Sequence, residues 1–205
     1  MGHGPFGSEH LAPGTPGSQV FSIVNARPAG HIALLPFAGG NVGIGTTSPA
    51  ATLHVVGTTR TTVLEITGAD LAEKFPVSEP IEPGMVVVID VDAEHAGQLC
   101  LSRSAYNRAV AGVVSGANDF SAGAVLGNLP GHEDSPPVAL SGRVYVWCDA
   151  SEHPIQPGDF LTTSDTAGHA MKAADLTRSQ AAVIGKAMTP LANGRGLVLV
   201  LVNLQ

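Results

Sequence analysis

The chain has 205 residues, of which 44% are apolar, 13% charged and only 4% aromatic, with a net charge of -7. That length allows one medium domain, or a domain with an extension, whose core is built from Val, Leu, Ile and Ala rather than rings. The acidity argues against nucleic acid as a partner, and the low charge content suits a surface partly covered by neighbouring subunits. The 25 glycines and 15 prolines fall between apolar runs, a pattern of many short strands joined by turns. No apolar run approaches the ~18 residues of a membrane span. The N-terminus lacks a basic start and an apolar core, so no classical signal peptide is expected. Cys100 and Cys148 lie in apolar, strand-like surroundings. Two isolated cysteines make no zinc site; they are read as buried thiols, with a disulfide as the alternative.

In chain order, residues 1–18 are rich in Gly, Pro, Ser and His and read as a flexible or partner-ordered arm. His3 and His10 there match no ligand spacing and are expected to be loop histidines. Two short strands follow, Gln19–Val24 and His31–Phe37. Next comes the stretch GGNVGIGTTSP, with glycines at 39, 40, 43 and 45, running on to Leu53, His54 and Val55. Those glycines suit a backbone that packs tightly or turns through positive φ. Val42 and Ile44 share one face of a strand. A second strand is expected over Thr52–Val56 and a third over Thr58–Thr67, where β-branched residues alternate with polar ones. Nothing from 1 to 68 has a helical period or enough apolar mass for a core of its own, so copies of the chain are expected to complete it.

Residues Gly39 to Gly57 resemble the GNVGIGT(T)-x-P-x-x-x-LHV-x-G segment of trimeric phage tail-fibre and bacterial surface-appendage proteins. The resemblance implies a homotrimeric stem carried by Gly40, Asn41, Val42, Gly43, Ile44, Gly45, Leu53, His54 and Val55. It also implies an extracellular, cell-surface or virion location. His54 would meet its symmetry mates near a threefold axis; a structural role is expected, and a metal or anion site is the alternative.

Residues 68–76 read as a hinge, with Asp70 and Glu73 spaced as a capping box on one helical turn that Pro76 ends. The run Ala69–Glu73 resembles the start of the G2 intramolecular-chaperone family, whose members assist trimer assembly and can cut themselves off. On that resemblance Asp70 and Glu73 are the candidate catalytic pair. Residues 77–205 carry an internal repeat. Ile81, Pro83 and Gly84 are echoed by Ile155, Pro157 and Gly158 at an offset of 74 residues. Residues 97–102 are echoed by 168–173, and 109–114 by 182–187, at offsets of 71 and 73. Such a period marks a duplicated supersecondary unit.

Each I-x-P-G is expected to form a type II turn, with glycine taking positive φ. Strands are expected over Met85–Asp90, Gln98–Ser102, Arg108–Val114 and Pro137–Cys148. Their counterparts are Asp159–Thr163, His169–Ala173, Ala181–Met188 and Leu197–Leu204. Single helical turns are expected at Ser104–Arg108 and Asp175–Gln180. The apolar run Val198–Val202 implies a central strand buried on both faces. Residues 116–136 form a long loop with a strand at Ala122–Leu126, the place first indicated for a ligand.

No nucleophile elbow, phosphate loop, dinucleotide fingerprint or zinc-protease motif is present. His132, His153 and His169 stand apart beside Gly or Pro and read as turn histidines. Tyr145 and Trp147 share a strand face and are assigned to the core rather than to a sugar platform. The segment from Ala69 through GRVYVWCDA and GLVLVLVNLQ is similar to an uncharacterised bacterial and phage family found behind such stems, with no assigned activity.

The expectation is therefore an all-β protein: an intertwined β-stem (19–68) followed by a pseudo-twofold duplicated β-barrel or sandwich (69–205, halves 77–148 and 151–205). The expected function is a non-enzymatic structural subunit of a trimeric fibre-like appendage, without cofactor, whose trimers stack or stand alone. A surface-glycan or receptor-binding tip and a self-cleaving chaperone are the alternatives.

Overall fold

A short twin-strand arch opens the described part of the chain. The computed structural model describes residues 40–127 and 131–203. The expected arm, the strands at 19–24 and 31–37, Gly39, His3 and His10 lie outside them. The chain divides into two units, Met1–Leu64 and Glu65–Gln205. Within the first, β1 (Val42–Ile44) pairs in parallel with β2 (Leu53–Val55), Val42 opposite Leu53 and Ile44 opposite Val55. Parallel neighbours ordinarily need a connection of a dozen or more residues; here residues 45–52 suffice. The expected strand over Thr58–Thr67 does not form, and each of its residues is exposed. Alternation qualifies a segment for a ladder, but among the described residues no partner strand supplies the bonds.

The second unit is all-β. Its strands are β3 (Asp70–Lys74), β4 (Val86–Ile89), β5 (Leu99–Leu101), β6 (Val110–Val114), β7 (Ala124–Leu126) and β8 (Pro137–Asp149). They continue with β9 (Phe160–Thr163), β10 (Ala170–Lys172), β11 (Val183–Ala187) and β12 (Arg195–Asn203). The strand order is β10-β9-β11-β12-β8-β6-β4-β5, which reads alike from either end once repeats are matched. Each half runs hairpin, return strand, long strand, and the two long strands pair with one another, Leu199 opposite Tyr145. A further pairing of β10 with β8, Ala170 opposite Cys148, closes β8, β10, β9, β11 and β12 into a five-stranded barrel.

The repeat is legible in its turns. Gly84 and Gly158 have φ of 86° and 94°, and the Met85 and Asp159 N–H groups donate back to Glu82 O and Gln156 O. Pro presets φ at the preceding position of each turn. Apolar alternation then sends Val144, Val146 and Cys148 of β8 and Val198, Val200 and Val202 of β12 into one core with Leu161 and Ile184. A smaller cluster, Val87, Leu99, Val114 and Val138, packs on the other face of β4 and β6. The continuous valines of β4 thus serve two cores.

Three expectations are corrected here. β12 is central, but only one face is buried: Leu201 is 45% exposed, because in a barrel the alternate side chains point outward. Tyr145 and Trp147 stand on that same outer face, half-buried, not in the core. Tyr145 meets the Phe120 ring edge-on at 5.8 Å. Residues 104–108 form no helical turn, since Tyr106 takes a φ of 59°. At 175–180 one turn does form, capped by the Asp175 carboxylate, which accepts from the Thr177 and Arg178 N–H groups.

Candidate functional site

The glycine-rich motif of residues 40–57 folds into a tight arch. The Val42 N–H donates to Thr52 O at 2.8 Å and the Val56 N–H to Ile44 O at 2.9 Å. A Cβ on Gly43 would stand 2.4 Å from Thr46 O, and Gly45 turns with φ of 74°. The Asn41 side-chain amide donates to Pro49 O at 3.1 Å. His54, half-buried on β2, accepts the Ala50 N–H at Nδ1, 3.2 Å, so that nitrogen holds the arch together and only Nε2 faces any outside partner. No residue from 40 to 68 is buried. Ile44 is 55% exposed, Leu53 59% and Val56 58%; Val63, Leu64 and Ile66 are exposed as well.

Asp70 and Glu73 are not a capping pair. They lie on β3, which pairs with β8 on one edge and β7 on the other. On a strand a spacing of three puts side chains on opposite faces, so the carboxylates do not converge. Sheet pairing outweighed the local capping pattern: Asp70, opposite Gly142, and Ala72, opposite Ala139, are both buried on the closed face. Asp70 is buried; its Oδ1 accepts from the Ser115 hydroxyl at 3.2 Å, and Oδ2 has no partner among the described residues. Burial pushes its carboxyl above the ordinary value, against the lowering by Ser115.

Both cysteines are free thiols, Cys148 fully buried and Cys100 partly so. Burial raises both thiols, and the nearby Asp90 and Glu79 carboxylates push Cys100 further. His132 and His153 are exposed; His169 is half-buried, its ring 6.1 Å from that of Trp147. Among the described residues no three His, Cys, Asp or Glu side chains gather as a metal site.

A cleft of about 680 Å³ opens where β8 ends and β12 begins. Asp149 and Arg195 face each other there in the ladder. Asp149 Oδ1 accepts the Ser151 N–H at 3.0 Å; Oδ2 accepts the Thr166 hydroxyl at 2.6 Å and Arg195 Nε at 3.1 Å. Bonds from Ser151 and Thr166, then Arg195, hold this carboxyl far below the usual carboxylate range. Opposite stands Tyr106. Its N–H donates to Thr163 O at 3.2 Å, and its Oη accepts the Asp175 N–H at 3.0 Å. The Arg178 guanidinium lies 4.3 Å over the ring. Asp165 fixes the neighbouring turn by accepting the Ala105 N–H at 2.9 Å. Among the described residues of 116–136, the loop indicated by sequence, none lines the cleft. The groups that meet here are spread from 105 to 195, so no local motif announces them. No protein-family model matches the chain, and neither does any curated protein.

Proposed function

We propose that the protein is an assembly subunit of a homotrimeric, fibre-like appendage of a phage particle or a bacterial surface. In this reading the arch of residues 40–57 is the stem at which three copies meet. One observation carries it: the segment 40–68 buries nothing, yet presents Ile44, Leu53, Val56, Val63, Leu64 and Ile66 to solvent. Two three-residue strands are too little to persist alone in water. Apolar surface gains about 25 cal/mol per Å² on burial, so a run of exposed large aliphatic side chains this dense favours an interface. Copies of the same chain supply the cover with the right register, since the arch repeats in each. The resemblance of residues 39–57 to trimeric appendage stems supports the same conclusion.

Light scattering on the full chain tests it. A particle of three times the 20.8 kDa chain mass is expected, converted to monomer by Leu53→Asp or Ile44→Asp. A wild-type monomer at micromolar concentration overturns it. Self-cleavage of the kind implied by the G2 resemblance would have to use Asp70 without Glu73. An intact 20.8 kDa mass after prolonged incubation removes that reading.

A further inference from the structure

We infer that the cleft between Tyr106 with Arg178 and the Asp149–Arg195 pair is a binding site for a short saccharide. Its volume, about 680 Å³, falls within the ~300–1,000 Å³ typical of small-ligand sites. The lining decides the ligand class. Carboxylates (Asp149, Glu152, Asp165, Asp175) alternate with cations (Lys172, Arg178, Arg195), and the apolar share is the smaller one, from Ala105, Met171 and Ala174. A polyanion would be repelled by the acids, and an apolar ligand would leave most of the charged lining without a partner. A hydroxyl both donates and accepts, so a polyol satisfies carboxylates and guanidinium groups together.

The site is also built in advance of any ligand. Asp149 is pinned by three donors. Tyr106 is held in the left-handed region at φ 59°, where a bulky side chain is an outlier. Backbone strain of this sort persists only when its surroundings impose it, and it concentrates at ligand sites. Here the Thr163, Asp175 and Arg178 contacts impose it. Binding capacity remains free. Among the described residues no hydrogen bond reaches Asp165 Oδ2 or Asp175 Oδ2, and no carboxylate pairs with Arg178. The exposed Glu152 and His153 stand at the rim.

This inference stands apart from the assembly reading, since every lining residue belongs to the barrel unit. The test is a printed array of bacterial and mammalian glycans probed with the labelled full chain, then saturation-transfer NMR with the strongest binder. Tyr106→Gly removes the ring while keeping the left-handed backbone comfortable; Arg178→Ala removes the cation. Each is expected to weaken binding at least tenfold with unchanged melting temperature. Leu53→Asp is expected to lower the multivalent array signal but leave saturation transfer intact, so loss of assembly is told apart from loss of the site. An array without signal overturns the inference. So does binding that survives both cleft variants, or that disappears instead in Phe120→Ala on the 116–136 loop.

Discussion

Asp70 is a carboxylate in the wrong solvent. Its burial leaves Oδ2 without a donor among the described residues, and its folded-state titration lies above the unfolded value of 3.8. A raised value means that the fold favours the protonated form. The stabilisation is complete below 3.8 and is lost as pH rises through the folded-state value. Asp70→Asn keeps an oxygen for the Ser115 hydroxyl and removes the charge. It is expected to stabilise the protein by about 1 kcal/mol at pH 7 to 8, with the gain fading towards acid. Calorimetry across that range checks it; a loss at neutral pH would show that the charge is compensated. Asp149 titrates with the opposite sign: its donors contribute stability above its unfolded value, and that stability is lost in acid. Sequence spacing gave Asp70 the look of a helix cap, because capping patterns are local and the sheet that claimed it is not. Tyr106 was equally hidden: nothing in a tyrosine's neighbours encodes a positive φ imposed by Thr163 and Asp175.

At the scale of elements, the duplicated turns are the most legible feature, since Pro and Gly dictate their dihedrals directly. They also allow a controlled comparison. A Cβ on Gly158 meets nothing within 4 Å, whereas on Gly84 it stands 3.0 Å from both the Ala117 Cβ and the Trp147 ring. Gly158→Ala is expected to destabilise by about 1–2 kcal/mol, from the left-handed backbone alone. Gly84→Ala is expected to cost more, because Trp147 is boxed in by its own ladder. Urea titration of both variants measures the difference; equal losses would mean that Trp147 swings aside freely. Strand pattern proved a weaker guide. Residues 58–67 alternate as a strand should, yet pair with no strand among the described residues, while the outer side chains of β12 are largely apolar, as the inner ones are. Alternation reports which residues could pair; it does not report whether a partner exists or which face a closed barrel turns outward.

For the molecule as a whole, composition spoke first: few charges, few rings and many turns fit an all-β chain rich in small aliphatic residues. The arch residues from Gly40 to Val55 were recognisable as one continuous motif, because a tight arch is built from neighbours in sequence. The cleft was not, because its walls come from both repeats, Tyr106 from the first and Asp165, Asp175 and Arg195 from the second, meeting at one end of the long central ladder. β8 has a further consequence. It runs for 13 residues, giving its first part to β3 and β6 and its remainder to β12 and β10. It is the long strand of the first half, yet it pairs with β12 and β10 of the second, so neither half can come apart while the other survives. Amide exchange should show this: Val144, Val146 and Cys148 are expected to open with the same free energy as the innermost protons of β4 and β11. A separate, earlier release of either half would mean that the seam still divides them.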